Sequence, residues 1–255
     1  MDGIAVLMHV RPLVLCYHAV SDGWPHRLSV PLADLERQLG SLLAHGYRPA
    51  SAHDVFAGRG KLLHVTFDDA FVSVRNALPA LERLGVRATV FVCSGFAAGG
   101  RPLRIPELAG EADERPDELR TMTWEELRAL ADRKLIQIGA HGVSHPHLRE
   151  LPDDELRREL VESRQHIEAE LGHGCPLLAY PYGEQDERVR RAARAAGYEA
   201  AFGLQPEDST WEDRYRLPRV GVWRGEGERT LALKTSTLGR SALVSALRRA
   251  RNRVA

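Results

Sequence analysis

Two short motifs bring together side chains that could hydrolyse a bond with the help of a metal ion. Asp68 and Asp69 directly follow one apolar stretch, and His141 and His145 follow another. One carboxylate and two imidazoles form a three-ligand set for a divalent cation, and a second carboxylate remains beside it. Such a set can activate a water molecule, whose proton the free carboxylate would accept. We interpret Asp69, His141 and His145 as metal ligands and Asp68 as the base.

Each motif has a simpler explanation when it is considered alone. Two histidines four positions apart are often surface residues, and an Asp-Asp pair is often a helix cap or a turn. Gly142 and Pro146 argue against a long helix, so we expect the histidines on a tight loop rather than on a helix as in zinc peptidases. The occurrence of both motifs at strand ends in one chain favours the metal site.

The elements that would position these residues alternate between short apolar strands and amphipathic helices. Such alternation predicts βα units around a parallel sheet. The helices are predicted from apolar residues at helical spacing, from a capping box at Thr123, and from stop signals at Gly46, Gly85, Gly172 and Gly197. The predicted strands are Leu13–Tyr17, Leu62–Phe67, Ala88–Cys93, Leu135–Ala140, Leu177–Tyr180, Glu199–Phe202 and Arg216–Val222.

The candidate reactive residues follow four different predicted strands. They are His18, the pair Asp68 and Asp69, the pair His141 and His145, and Tyr182. In a βα barrel the carboxyl ends of all strands open into one mouth, where these groups would meet. An open sheet would bring together only the groups near its switch point. The sequence therefore favours a barrel over an open sheet.

Bulk composition restricts the class of protein and of partner. A chain of 255 residues fits one large α/β domain. Lys plus Arg and Asp plus Glu are equal at 35 each, so no overall positive charge indicates nucleic acid as a partner. The three cysteines form no short paired motif, which argues against a disulfide framework. Because neither a membrane-spanning run nor a signal peptide is recognised, we expect a cytoplasmic protein.

One domain is expected over residues 1–255, with a core at about residues 13–222 and two less regular segments. Residues 95–120 are rich in Gly, Pro and charge, which predicts an irregular loop insertion that either faces the substrate or is mobile. Residues 230–255 are predicted as a helical tail. Its part from Leu238 to Val254 combines basic and apolar residues, which is typical of a solvated helix or of peripheral contact with an anionic membrane.

Together, the motifs resemble those of the polysaccharide deacetylase family, the NodB-homology carbohydrate esterases of family 4. The resemblance lies in Thr66-Phe67-Asp68-Asp69, in His141-Gly142-Val143-Ser144-His145 and, in part, in Tyr180-Pro181-Tyr182-Gly183. It implies a distorted (β/α)7-type barrel and a divalent cation, usually zinc, with other divalent ions as alternatives. It also implies an N-acetylated carbohydrate as substrate and hydrolysis of N-acetyl groups on an amino sugar or glycan, or sometimes of O-acetyl groups.

The resemblance also assigns roles to individual residues. It gives the base role to Asp68 and the ligand roles to the three residues named above. The backbone N–H of Tyr182 is expected to stabilise the oxyanion of the tetrahedral intermediate. Pro181 and Tyr182 are expected to contact the substrate. Trp211 follows a loop and is predicted to form a wall of the pocket, on which a sugar could stack.

Two departures from the family pattern concern the acid and the partner of the base. The family has an arginine three residues before the motif tyrosine, where this chain has Ala179. Arg219 is the candidate substitute, with a surface charge as the alternative. The family's late histidine acid is also absent, because no histidine follows His173. The stretch from Leu15 to Val20 is similar to a circularly permuted branch, the poly-N-acetylglucosamine deacetylases, and on that basis His18 is the expected general acid, with a pKa near neutrality.

These observations predict a metal-dependent hydrolase that removes N-acetyl groups from an amino sugar or glycan. Two alternatives remain open from the sequence. The same residues could hydrolyse a non-sugar amide or an O-acetyl ester. The chain could also be a catalytically silent glycan-binding domain in which the lost motif arginine marks decay, although binding alone would not require Asp68.

Overall fold

Eight strands form one curled parallel sheet in this computed structural model, which describes residues 11–58, 60–204 and 208–236. Their bounds are β1 Leu13–Tyr17, β2 Arg48–Pro49, β3 Leu62–Phe67, β4 Ala88–Val92, β5 Ile136–Ala140, β6 Leu177–Ala179, β7 Ala200–Phe202 and β8 Val220–Gly221. The strands pair in the order β7-β6-β5-β4-β3-β1-β8, and β2 pairs with the beginning of β3.

The sheet closes on itself through the chain segment at residues 214–222. The N–H of Ala201 in β7 donates to the carbonyl of Arg214, and the N–H of Leu217 donates to the carbonyl of Ala201. Further along the same segment, Val222 donates to the carbonyl of Cys16 in β1. One segment thus bonds both edges of the curled sheet. This confirms the predicted distorted (β/α)7-type barrel in a single α/β domain.

Helices follow most of the strands and pack on the outside of the sheet. The capping box predicted at Thr123 is present, and Gly85 and Gly172 end their helices in the left-handed conformation that glycine tolerates best. The helices are α1 Leu32–Ala44, α2 Ala52–Ala57, α3 Leu78–Leu84, α4 Ser94–Ala97, α5 Ala109–Glu114, α6 Trp124–Ala131, α7 Asp153–Leu171, α8 Glu187–Ala195 and α9 Glu228–Thr235.

Side chains of the strands alternate between the helix layer and the barrel interior, because successive residues of a strand point to opposite faces. Val65 in β3 belongs to the large apolar core beneath the helices. Phe91 in β4 and Phe202 in β7 belong to a second apolar cluster, which we assign to the interior of the barrel. This cluster extends to the polar residues of the barrel interior, because the guanidinium of Arg219 lies 5.6 Å from the ring centroid of Phe91.

Two segments differ from their predictions. The strand predicted at Arg216–Val222 is only β8, because Leu217 pairs with Phe202 in an isolated bridge and Pro218 has no N–H to donate to a ladder. Residues 95–120 contain α5, most of α4 and a 3-10 helix at Pro106–Leu108, so they are more regular than a plain loop.

The chain beyond residue 236 lies outside the described residues, and so do Leu238 to Val254, for which a solvated helix or membrane contact is predicted. Within the predicted tail, the described part contains the end of α9. No helix in the described ranges combines the length and the apolar character needed to cross a membrane.

Candidate active site

The residues singled out in the sequence meet at the carboxyl ends of the strands. His18 directly follows β1, Asp68 and Asp69 follow β3, and His141 follows β5. Tyr182 comes shortly after β6, in a short 3-10 turn. Parallel strands direct their carboxyl ends to the same mouth, which explains why groups far apart in the chain come together here.

Asp69, His141 and His145 form a compact set of potential metal ligands. Their donor atoms all lie within 4.8 Å of one another, and all three residues are buried. Oδ1 of Asp69 is 3.7 Å from Nε2 of His141 and 3.5 Å from Nε2 of His145. Ligands bonded to one tetrahedral zinc at usual bond lengths are about 3.4 Å apart. The three side chains therefore fit a divalent cation at their centre.

The hydrogen bonding of this set is consistent with a cation site. Nδ1 of His141 lies 2.8 Å from the carbonyl oxygen of Ala179, which can only accept, so the proton is on Nδ1 and Nε2 offers its lone pair. Oδ1 of Asp69 is buried without a hydrogen-bond partner in the described part of the chain. Burial and the neighbouring Asp68 carboxylate raise the pKa of Asp69 well above its usual value. A bound cation would satisfy this carboxylate.

Asp68 lies beside the ligand set and forms an ion pair in the barrel interior. Nη1 of Arg219 donates to Oδ1 of Asp68 at 2.6 Å, and both side chains are almost fully buried. Burial alone would raise the pKa of Asp68, but Arg219, His141 and His18 together outweigh it and hold the pKa below its usual value. Arg219 also donates to Oγ1 of Thr66 at 3.2 Å and to the carbonyl of Gly203. Asp68 is therefore an ionised carboxylate in a fixed orientation.

Backbone strain is concentrated at the same mouth. Asp69, Ala70, His145 and Tyr182 have φ values of 67°, 50°, 62° and 58°, and these are the non-glycine residues with positive φ in the described ranges. Each such residue costs on the order of 1–2 kcal/mol relative to the right-handed region. Strained backbone persists where the surrounding structure imposes it, and it is often found at functional sites.

His18 lies next to Asp68 and Cys16. Its ring nitrogen, a carboxylate oxygen of Asp68 and Sγ of Cys16 all lie within 4.8 Å of one another. The ring is tilted against that of Trp223, with centroids 5.5 Å apart. Burial lowers the pKa of His18 to about 4, and the near-neutral pKa expected from the sequence is therefore wrong for this structure.

These groups open into a cavity of about 430 Å³, a size typical of small-ligand sites. One wall carries Trp223, with the guanidinium of Arg27 4.5 Å from the ring centroid. Tyr182 also lines the cavity. Its hydroxyl donates to Glu107 at 2.9 Å, and its ring stacks on that of His147 with centroids 3.8 Å apart. Glu107 lies in the 95–120 segment, so this segment contributes to the cavity wall.

Two residues expected to contact the substrate are placed elsewhere. Trp211 is half-buried and packs against the interior cluster of Phe91 and Phe202, and it is not among the described residues that line the cavity. Pro181 is buried and also does not belong to the described lining. Its neighbour Tyr182 does line the cavity.

Trp223 is the aromatic residue of the wall that sequence reasoning missed. It follows the carboxyl end of β8, as the reactive residues follow their own strands. The same strand-end argument that selected Tyr182 would therefore have selected Trp223. Glu107 had no comparable signal, because its place depends on how the 95–120 segment packs.

Comparison with known proteins gives a consistent result. The sequence profile described as polysaccharide deacetylase matches residues 57–201, more than half of the chain. Among solved structures, a polysaccharide deacetylase from Bacillus cereus superposes with a TM-score of 0.70 at 20% identity, over 89% of this chain and 70% of that one. The Streptococcus pyogenes deacetylase PplD, in complex with acetate, has a TM-score of 0.70 at 17% identity, over 89% and 98% of the two chains.

IcaB from Ammonifex degensii has a TM-score of 0.67 at 21% identity, over 91% of this chain and all of that one. At these identities the solved structures establish a shared fold, and the sequence profile establishes the family. The chain belongs to the polysaccharide deacetylase family.

Proposed function

We propose that this protein is a metal-dependent hydrolase that removes N-acetyl groups from an amino sugar or glycan. The observation that supports the proposal most directly is the position of Asp68, an ionised base, beside the three-ligand set of Asp69, His141 and His145 at an open cavity. The cation would be zinc or another divalent ion held by that set. When bound, it would supply Lewis acidity that activates water and polarises the acetyl carbonyl.

Side chains of the protein would transfer the proton from the attacking water to the leaving nitrogen. Asp68 is oriented by Arg219 and accepts the proton of the attacking water. The leaving nitrogen must then receive a proton before it departs as an amine. His18 is neutral near pH 7 because its pKa is about 4, so it would first take up the proton held at Asp68 and then deliver it to the nitrogen.

Two further features would stabilise the transition state and hold the sugar. The backbone N–H of Tyr182 would donate to the oxyanion, a contribution typically worth about 3 kcal/mol. Trp223 offers an aromatic face in the wall, and the carboxylates of Glu107 and Glu184 offer acceptors for sugar hydroxyls.

The test is release of acetate from a panel of N-acetylated sugars and oligomers, O-acetylated sugars and non-sugar amides. The protein is assayed after metal removal and after reloading with Zn²⁺ or another divalent ion. We expect metal-dependent release from N-acetylated carbohydrates and no metal-restored release by H145A. Release from other acetylated compounds alone would replace the proposed substrate class. Glycan binding without turnover on any substrate would indicate a silent binding domain.

A further inference from the structure

We propose that Glu159 on α7 is a positioning residue that determines how tightly the metal site holds its cation. This inference rests on the proposed function, because it concerns the same ligand set. Two of the three ligands, His141 and His145, lie at the ends of one loop, so the backbone of residues 142–144 determines how they face each other.

The carboxylate of Glu159 accepts hydrogen bonds from the middle of that loop. Its Oε2 accepts hydrogen bonds from the N–H of Val143 at 2.6 Å and from the N–H of Ser144 at 3.1 Å. Its Oε1 accepts from Oγ of Ser144 at 2.6 Å. Hydrogen bonds to an ionised carboxylate are stronger than those between neutral groups. One side chain thus accepts three hydrogen bonds from two consecutive residues of the loop.

A second residue of the same helix holds the start of the loop. Oγ of Ser163, one turn after Glu159, donates to the carbonyl of Gly142 at 2.8 Å. Helix α7 is itself anchored, because Leu160 and Ile167 are fully buried in the core beneath the helices. The loop backbone is therefore fixed to a rigid element of the barrel.

This attachment matters because the loop is strained. His145, at the end of the loop, has φ of 62°, and a non-glycine residue relaxes from this region when it is free to do so. Relaxation at His145 would turn its imidazole away from Oδ1 of Asp69. Within the described residues, the hydrogen bonds of the Glu159 carboxylate go to Val143 and Ser144 and not to either imidazole, so its effect should fall on cation affinity and leave the chemical step intact.

The experiment measures the dissociation constant for Zn²⁺ by competition with a chromophoric chelator. E159A removes all three hydrogen bonds, and we expect affinity to fall on the order of 10- to 100-fold, as for other residues that orient metal ligands. E159D keeps a carboxylate, but its side chain is one methylene shorter and reaches the loop less well. It should therefore also bind Zn²⁺ more weakly than the unchanged protein. E159Q retains an acceptor oxygen for the N–H groups and an amide that can donate to Ser144, so its affinity should stay within a few-fold of the unchanged protein.

Acetate release provides a second readout. At saturating Zn²⁺ the kcat of E159A and E159D should return close to that of the unchanged protein, because only affinity is altered. E162A is the matched control, since Glu162 lies on the same helix and, in the part of the chain that the structure describes, does not hydrogen-bond this loop. Its affinity and turnover should not change.

The outcomes separate this inference from the proposed function. Failure of the unchanged protein to bind Zn²⁺ through Asp69, His141 and His145 would overturn both. If the unchanged protein binds Zn²⁺, and E159D and E162A bind it with equal affinity, only the role of Glu159 is overturned. If E159A does not fold, E159D and E159Q give the same comparison, and circular dichroism of each metal-free variant shows that it is folded.

Discussion

Arg219 and Asp68 are 151 positions apart in the chain, yet Nη1 of Arg219 lies 2.6 Å from Oδ1 of Asp68 in the barrel interior. Ala179 occupies the motif position where the family has an arginine, and its carbonyl instead pairs with Nδ1 of His141. The guanidinium therefore reaches Asp68 from a segment much later in the chain. The residue directly before β8 supplies the charge that orients Asp68.

Replacing Arg219 by Gln should impair both catalysis and stability. A base that is displaced by about 1 Å can cost on the order of 100-fold in turnover. Removing one partner of a buried ion pair typically costs about 3–5 kcal/mol in the free energy of unfolding. Acetate release and denaturant unfolding measure the two effects, with the exposed Arg214→Gln as control. Unchanged turnover in R219Q would show that Asp68 does not need this partner.

His18→Ala should leave the metal bound and depress turnover. Loss of a group that moves a proton in the transition state costs about 100-fold or more. Acetate release gives the rate, and elemental analysis of the purified variant gives the metal content. His53, an exposed residue of α2, supplies the control H53A. Loss of the cation from H18A would instead place His18 among the ligands, and full turnover would remove its catalytic assignment.

The two tryptophans should separate substrate binding from stability. Trp223 lines the cavity, so W223A should raise KM for the glycan roughly tenfold, equivalent to about 1.4 kcal/mol of binding. Trp211 packs on the interior cluster and is half-buried, so W211A should lower the free energy of unfolding by about 1–2 kcal/mol with little change in KM. A raised KM in W211A, with an unchanged KM in W223A, would instead assign the sugar-binding role to Trp211.

His64 should make the fold sensitive to acid. It is buried between the carbonyl of Ala50 and Oγ1 of Thr89, and burial lowers its pKa to about 4 from the usual 6.5. Between these values the unfolded chain binds a proton that the folded chain does not. The stability contributed by neutral His64 is therefore complete above about pH 6.5 and is lost as the pH falls towards 4, by up to about 3 kcal/mol.

Denaturant unfolding at pH 7 and pH 5 tests this expectation. H64Q should lose less stability than the unchanged protein between the two pH values. The exposed H53Q should lose as much as the unchanged protein. Equal losses in all three proteins would show that His64 does not carry the acid sensitivity.

Much of the architecture was readable from local patterns. Strands β1 and β3 have the predicted bounds, and Gly85 and Gly172 end helices as their positions predicted. These features depend on residues close together in the chain, and the spacing of their apolar members indicates which face of a strand or helix is buried. The 95–120 segment was less predictable, because its short helices lack an extended apolar period.

The sequence by itself determined which donor types follow which strands, and so it predicted a site containing Asp68, Asp69, His141 and His145. Their roles in catalysis stay predictions for the experiments above. Only the tertiary structure decided between an ion pair with Asp68 and a surface charge for Arg219, showed that Trp211 packs on the interior cluster, and showed that Glu159 holds the histidine loop. These relationships depend on how the barrel closes and on how α7 packs, which the positions of residues along the chain do not determine.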